Sequence, residues 1–392
     1  MIKIIDRLTT ILLFISLVIT GSVAYYTLNR PVKSNNQNKK PVERTYEAFS
    51  IEKAPECTPE GVKYFYYGRL DGNYKRVYDQ IYTSMIKRKP VMISNTSTDT
   101  ITTVVNAVLF DHPEIFYVEA NGIFPSIKSF HPNDIWYSAT YSYSKEESEM
   151  IMAGMNNEAE RILADLDSSA SDYEKIRYVS NAICNETWYS SSAPDNQNIN
   201  SVFLNHSTVC AGYSKASQFL LNKLGVECTT ITGDTANGGR HGWNLVRSDG
   251  EWYYLDITWD DIEVSYKQSD DKLVRMKNYD YFMITTKDME KTRTPDKIVE
   301  LPNCTATKDN YFIHEGLYFT DLNNDQLNNA FEKAYNSGED TMIIKCSNDQ
   351  VFNEMVSYLL DQNNVIDYML SNGGKGMFSR ENANTLTLEL YI

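Results

Sequence analysis

Three features of the sequence predict an α+β fold with more than one domain. Helical periodicity recurs in several separated stretches, and a β-hairpin is spelled out around an Asp-Gly turn near residue 249. The chain, at 392 residues, is also longer than one hydrophobic core usually serves. Apolar residues make up 42% and charged residues 23%, the proportions of an ordinary globular protein rather than of collagen, coiled coil or wholesale disorder. A net charge of −15 argues against nucleic acid as a partner, since phosphate binding needs clustered Lys and Arg to displace counterions.

Residues 1–30 form a signal or anchor segment. Lys3 and Arg7 precede a run without charge from Leu8 to Asn29, and Ser22-Val23-Ala24 offers a small-x-small cleavage site. The same run is long enough to span a bilayer, so cleavage and anchoring both stay open. Arg30, Lys33, Lys39, Lys40 and Arg44 put more positive charge after the run than before it, which by itself points the domain inward. Long domains are exported largely regardless of such charges, and an extracytoplasmic protein, secreted or membrane-anchored, is the expectation. Residues 31–45, rich in Asn, Lys, Gln and Pro, read as a solvated linker.

An N-terminal α+β region is expected over 46–145. Val77, Ile81 and Met85 share a face of a helix over 74–86, and a second helix over 101–109 stops near Asp111-His112-Pro113. Phe116 to Val118 and Trp136 to Tyr141 read as strands. The region over 146–290 opens with a polar helix, 146–166. Ser171 and Glu174 then make a capping box for a helix that buries Ile176, Val179 and Ile183. A further helix starts at or just after Cys210, shows Tyr213, Ser217, Leu220 and Leu224 on one face, and ends at Gly225. A strand over 226–231 follows. In the C-terminal region, 291–392, aromatic stretches flank a Glu315-Gly316 turn. Helices are expected near 325–336 and 350–361, and strands near 342–346 and 385–391.

The chemistry is concentrated at three positions. Cys210 precedes Ala211-Gly212, small residues that would let a substrate backbone approach the sulfur. At the start of a helix its thiol meets free amides and the positive end of the dipole, which favour a thiolate and offer an oxyanion site. The hairpin runs from His241 to Val246 and from Trp252 to Ile257. A two-residue turn at Asp249-Gly250 sets Trp243 opposite Asp256. His241, two residues from Trp243, then lies on the same face and diagonal to Asp256. A thiol nucleophile needs these parts: a base for its proton and a carboxylate to orient the base. Asp256 also sits among Tyr253, Tyr254, Leu255 and Ile257, where an unpaired carboxylate would be costly.

Cys210-Ala211-Gly212-Tyr213, His241-Gly242-Trp243-Asn244 and Asp256-Ile257-Thr258-Trp259-Asp260 resemble the three ordered motifs of the transglutaminase-like superfamily, roughly C-x-G-Y-A, H-x-W-N and D-x-T-W-D. The resemblance is greatest to exported proteins of Gram-positive bacteria, and it covers about 172–262. The Asp111 to Phe116 stretch resembles a segment often found upstream in such proteins. Ser214 stands where the family commonly has Ala. The resemblance implies a papain-like core, a nucleophile helix packed on an antiparallel sheet, with Cys210, His241 and Asp256 as catalytic triad. A second oxyanion donor is expected from Asn205 or Trp188. The implied activity is an acyl-enzyme at Cys210 on protein or peptide amides, cell-wall peptides among them. Transglutaminase, deamidase and peptidase outcomes all stay open. The alternative is a non-catalytic cell-surface binding protein that keeps the fold.

No cofactor or metal is expected. The six cysteines form no CxxC pair and no zinc spacing, and their scatter is not that of a disulfide scaffold. Asp321, Asn323, Asp325 and Glu332 match four positions of a calcium loop. Gln326 stands where its glycine should be, so helix capping is the reading. His112, His131, His206 and His314 read as surface or packing residues, and Trp259 and Tyr213 as core.

Overall fold

The computed structural model describes residues 49–119, 134–267, 273–338, 341–372, 378–383 and 385–391. The signal or anchor segment and the linker lie outside these residues. Among the described residues no helix is long and apolar enough to cross a membrane. The fold is α+β, and the chain divides into two compact units, each assembled from three separate stretches.

Of the described residues, the first unit takes those within 49–168, 186–244 and 290–301. Helix α1 (Phe65–Arg69) leads into α2 (Gly72–Lys87), whose buried face is Val77, Tyr78, Ile81 and Met85. Strand β1 (Val91–Ile93) pairs antiparallel with β2 (Ile135–Tyr137), and between them lies α3 (Thr98–Asp111). Ser97 caps α3 by accepting from the Thr100 amide at 3.1 Å. Phe116 to Val118, expected as a strand, is a turn. The Val118 amide donates back to the Ile115 carbonyl at 3.3 Å, which leaves one bridge, to Tyr141. Helix α4 (Lys145–Leu163) starts in a full capping box between Ser144 and Glu147.

After α5 (Asp172–Glu186), the first unit resumes with β3 (Trp188–Tyr189), α6 (Ile199–Phe203), β4 (Ser207–Thr208) and α7 (Cys210–Lys223). Gly225 follows α7 at φ +77°, the left-handed geometry that ends helices on glycine. Strand β5 (Cys228–Thr235) turns at Ala236–Gly239 into β6 (Arg240–Ser248), with the Thr235 amide donating to the Gly239 carbonyl at 2.9 Å. Such a tight connection makes the pair antiparallel. On its other side β5 pairs antiparallel with β10 (Arg293–Pro295), and α7 packs on β5.

The second unit takes residues 169–185, 245–289 and 302–392. Ser171 and Glu174 cap α5 reciprocally, at 2.7 and 3.3 Å, and Ile176, Val179 and Ile183 are buried. The last residues of β6 meet β7 (Glu251–Leu255) through Asp249 and Gly250, at φ +48° and +88°. Two positive values in a two-residue loop define the hairpin turn that the Asp-Gly pair predicts. Helix α8 (Ile257–Asp260), strands β8 (Asp261–Lys267) and β9 (Leu273–Lys277), and α9 (Thr286–Met289) follow.

The C-terminal part holds a four-stranded sheet in the order β11 (Tyr318–Phe319), β12 (Thr341–Cys346), β14 (Thr387–Tyr391), β13 (Phe378–Asn382). Met342, Ile344, Leu388 and Leu390 are among its buried residues, packed with α11 (Asn324–Ser337) and α12 (Asp349–Val356), and Phe331 stacks on Tyr368 of α13 (Asn364–Asn372). Tyr311 to His314 forms a short helix, α10. Asn323 caps α11 through the Gln326 amide at 3.0 Å, the role read in place of calcium binding.

Candidate active site

The approach to Cys210 is a short parallel ladder. Trp188 pairs with Ser207 and Tyr189 with Thr208, with amide-to-carbonyl bonds Trp188 to His206 (2.9 Å) and Ser190 to Thr208 (2.7 Å). β4 thus delivers the chain to Val209, an extended residue at φ −118° and ψ −176°, and the helix begins at Cys210. Cys210 is half-buried. Its amide and that of Ala211 lie in the first turn, where a helix provides no internal acceptor. They and the helix dipole favour negative charge at this point.

Three fastenings hold the first turns of α7. A Cβ on Gly212 would lie 1.9 Å from the Thr208 Oγ1 and 3.1 Å from the Ser201 Oγ, so this residue must be glycine for the helix to sit on β4 and α6. Its smallness serves the packing of the helix. The Asn244 side chain on β6 donates from Nδ2 to the Ser214 carbonyl at 2.8 Å and to the Thr229 carbonyl at 3.3 Å. Gly242, two residues earlier on the same strand, faces the helix: a Cβ there would be 3.5 Å from the Ser214 Oγ and 3.9 Å from the Ala211 Cα. Ser214, where the family commonly has Ala, fits in place by donating to the Ala211 carbonyl at 3.2 Å.

His241 is 9% exposed, and its ring stacks on Trp243 at 5.9 Å between centroids. Trp243 is fully buried, with the Arg293 guanidinium 6.0 Å from its ring. Gly233 on β5 leaves room for the indole, since a Cβ there would be 2.7 Å from the Trp243 Cη2. The first unit therefore brings Gly242, the residue after His241, against the first turn of the helix that carries Cys210.

Asp256 belongs to the second unit. It stands just past β7, which ends one residue before it, so the strand expected through Ile257 gives way to a helical turn. Its amide donates to the Tyr281 carbonyl at 3.1 Å, and its Oδ1 accepts from the Trp259 amide at 3.3 Å. The carboxylate is 3% exposed. Asp260, one turn on, accepts from the Tyr281 amide at 3.0 Å and is equally buried. Trp259 is 42% exposed and meets Tyr281 edge-on, which corrects the expectation of a core residue, while Tyr213 is buried as read.

Of the two candidate oxyanion donors, Asn205 is exposed and donates its side-chain amide to the Pro194 carbonyl at 3.4 Å. Trp188 is 49% exposed and stands in the ladder that leads to Cys210. His112 is buried, with Nδ1 2.7 Å from Glu114 Oε1, and His314 stacks on Tyr173 at 3.5 Å; both are packing residues. His131 lies outside the described residues. Asn244 enters the sequence analysis only as the end of a motif; its bonds to α7 and β5 were not legible there, because its partners are backbone carbonyls on other elements.

A sequence model of the Transglutaminase-like superfamily matches residues 160–257. That stretch ends at the second residue of the third motif, Asp256 to Asp260. It contains Cys210, His241 and Asp256. No curated protein matches the chain. Among solved structures, the chain is similar to one titled as a TGase, at 16% identity over 46% of this chain and 53% of that one, with a TM-score of 0.27. It is also similar to a cysteine-protease candidate from Cytophaga hutchinsonii, at 12% identity over 37% of this chain and 57% of that one, with a TM-score of 0.24. The chain thus spans little more than half the length of either structure.

Proposed function

We propose that the protein is a cysteine acyltransferase or hydrolase acting on protein or peptide amides outside the cytoplasm. Cys210 is the nucleophile, His241 the acid–base group and Asp256 the carboxylate that orients it. One observation carries the reading: within a transglutaminase-like match, Cys210 is the first residue of α7, at the turn against which Gly242, the neighbour of His241, is packed.

In this mechanism His241 takes the thiol proton and the sulfur attacks the amide carbonyl carbon. The resulting oxyanion accepts hydrogen bonds from first-turn amides of α7. Collapse breaks the C–N bond, and the leaving nitrogen takes the proton from His241, which leaves a thioester on Cys210. Water resolves the thioester in hydrolysis or deamidation; an amine resolves it in cross-linking. Export is supported by the uncharged run between Leu8 and Asn29 that follows Lys3 and Arg7. Cell-wall peptides belong to the substrate class of an exported enzyme of this kind.

The test is the pH dependence of Cys210 alkylation in a Cys57→Ser background, repeated with His241→Ala. Reaction well below the free-thiol pKa of about 8.5, abolished in His241→Ala, is expected. A free-thiol titration in both proteins would leave only a binding module that has kept the fold.

A further inference from the structure

We infer that Gln218 is a positioning residue for Cys210, and that through it the helices ahead of the matched stretch form part of the catalytic scaffold. The inference rests on the nucleophile role proposed for Cys210.

Gln218 lies on α7, eight residues after Cys210, and is 2% exposed. Both ends of its amide are engaged. Nε2 donates to the Phe110 carbonyl at 2.6 Å, with the Asp111 carbonyl at 3.5 Å. Oε1 accepts from the Thr230 amide at 2.9 Å and from the Thr230 hydroxyl at 2.8 Å. Phe110 and Asp111 are the last residues of α3, whose final carbonyls have no partner within their own helix. One side chain of the nucleophile helix therefore closes the end of α3 and grips β5.

The bonds continue into a ring. The Asp111 carboxylate accepts from the Tyr66 and Tyr67 amides at 2.9 and 2.8 Å and from the Tyr78 hydroxyl at 2.9 Å. The Tyr66 hydroxyl then donates to the Thr230 carbonyl at 2.9 Å. Gln218, α3, α1 and β5 are thus joined in one closed circuit, all within the first unit. Phe110 and Asp111 lie outside the family match, yet they hold a residue inside it.

The consequence for Cys210 follows from leverage. Gly212, Ser214 and the Gly242 contact all fasten α7 near its start, which by itself resists tilting poorly. Gln218, about 12 Å from Cys210 along the axis at the usual helical rise, fastens the helix further along to two other elements. A displacement of about 1 Å at a nucleophile costs on the order of 100-fold in rate. Gln218 is buried away from any substrate, so its loss acts on the reactivity of Cys210.

Gln218→Glu keeps the size and the acceptor for Thr230 but sets a carboxylate oxygen against the Phe110 carbonyl. Leu388→Ala, in the buried face of the C-terminal sheet and outside the circuit, is the control for plain destabilisation. The measurements are Cys210 alkylation against pH, hydrogen exchange of the Gly212 and Tyr213 amides, and thermal melting. Gln218→Glu is expected to slow alkylation at least tenfold and to speed exchange at both amides. Leu388→Ala is expected to lower the melting temperature and leave both readouts unchanged. Tyr66→Phe, which removes one bond of the circuit, gives a smaller shift in the same direction and serves if Gln218→Glu does not fold. Wild-type profiles in Gln218→Glu, or equal shifts in Leu388→Ala, would overturn the inference. A wild-type Cys210 that titrates as a free thiol defeats the proposed function instead, and amide exchange alone then decides on Gln218.

Discussion

Gly242 and Ala211 sit so close that a Cβ on the glycine would lie 3.9 Å from the alanine Cα. That is ordinary van der Waals contact, with room for one methyl group and no more. Gly242→Ala is expected to melt within a few degrees of the wild type and to keep its Cys210 alkylation rate within about twofold. Gly242→Leu is expected to overpack the contact at about 1–3 kcal/mol and to push α7 off the strand. Equal alkylation rates in the two variants would show that this contact does not set the position of Cys210.

Gly212 permits no such latitude. Gly212→Ala is expected to lose about 2 kcal/mol or more, because its Cβ would meet the Thr208 Oγ1 at 1.9 Å. Thr208→Ala removes that atom, so the double variant should regain part of the loss. Urea midpoints of the two single variants and the double one measure the coupling. Strict additivity would place the strain elsewhere.

Among the described residues no cysteine forms a disulfide, and the reactivity of the six should divide by burial. Cys57 is exposed and Cys210 half-buried, whereas Cys184, Cys228, Cys304 and Cys346 are buried. Burial pushes the Cys304 thiol up to about 12 and the Cys346 thiol likewise, and raises Cys228 further. A native alkylation followed by mass spectrometry should therefore label Cys57 and Cys210, with the other four appearing only on denaturation. A third native label would contradict the packing described.

Asp111 gives the stability a predictable pH dependence. Burial is the largest influence and pushes its carboxyl up to about 6, against the pull of His112 and the bonds from Tyr66, Tyr67 and Tyr78. A carboxyl that binds its proton more tightly when folded favours folding fully below its unfolded pKa of about 3.9, and that contribution is lost as the pH rises through the folded value. Denaturation midpoints between about pH 4 and 6 should carry this loss, and Asp111→Asn should flatten it. An unchanged slope in the variant would remove Asp111 as its source.

The parts of the fold legible in the sequence were those decided locally. The Ser171–Glu174 cap, the Asp249-Gly250 turn, Gly225 and the start of α7 at Cys210 each depend on a few adjacent residues. Phe116 to Val118 has strand composition yet makes a turn, because ladder partners decide strands and here there is one bridge. The β7 strand stops before Asp256, whose amide is claimed by the carbonyl of Tyr281, a residue distant in sequence. At the site, Cys210, His241 and Asp256 could be named from motif order, whereas Asn244 and Gln218 act on backbone carbonyls, which no sequence pattern displays.

The order of synthesis meets an obstacle in β10. Its Arg293 pairs with Thr235 of β5, a partner made 58 residues earlier (293 minus 235). The first unit therefore cannot finish its sheet as the chain emerges; β5 waits with an open edge until nearly 300 residues have been made. Long-range pairing of this kind slows folding and leaves an unpaired strand exposed to wrong partners meanwhile. Fragments cut at the limits of the family match, 160 and 257, would make that wait permanent, and they should be recovered as aggregates rather than as a minimal enzyme.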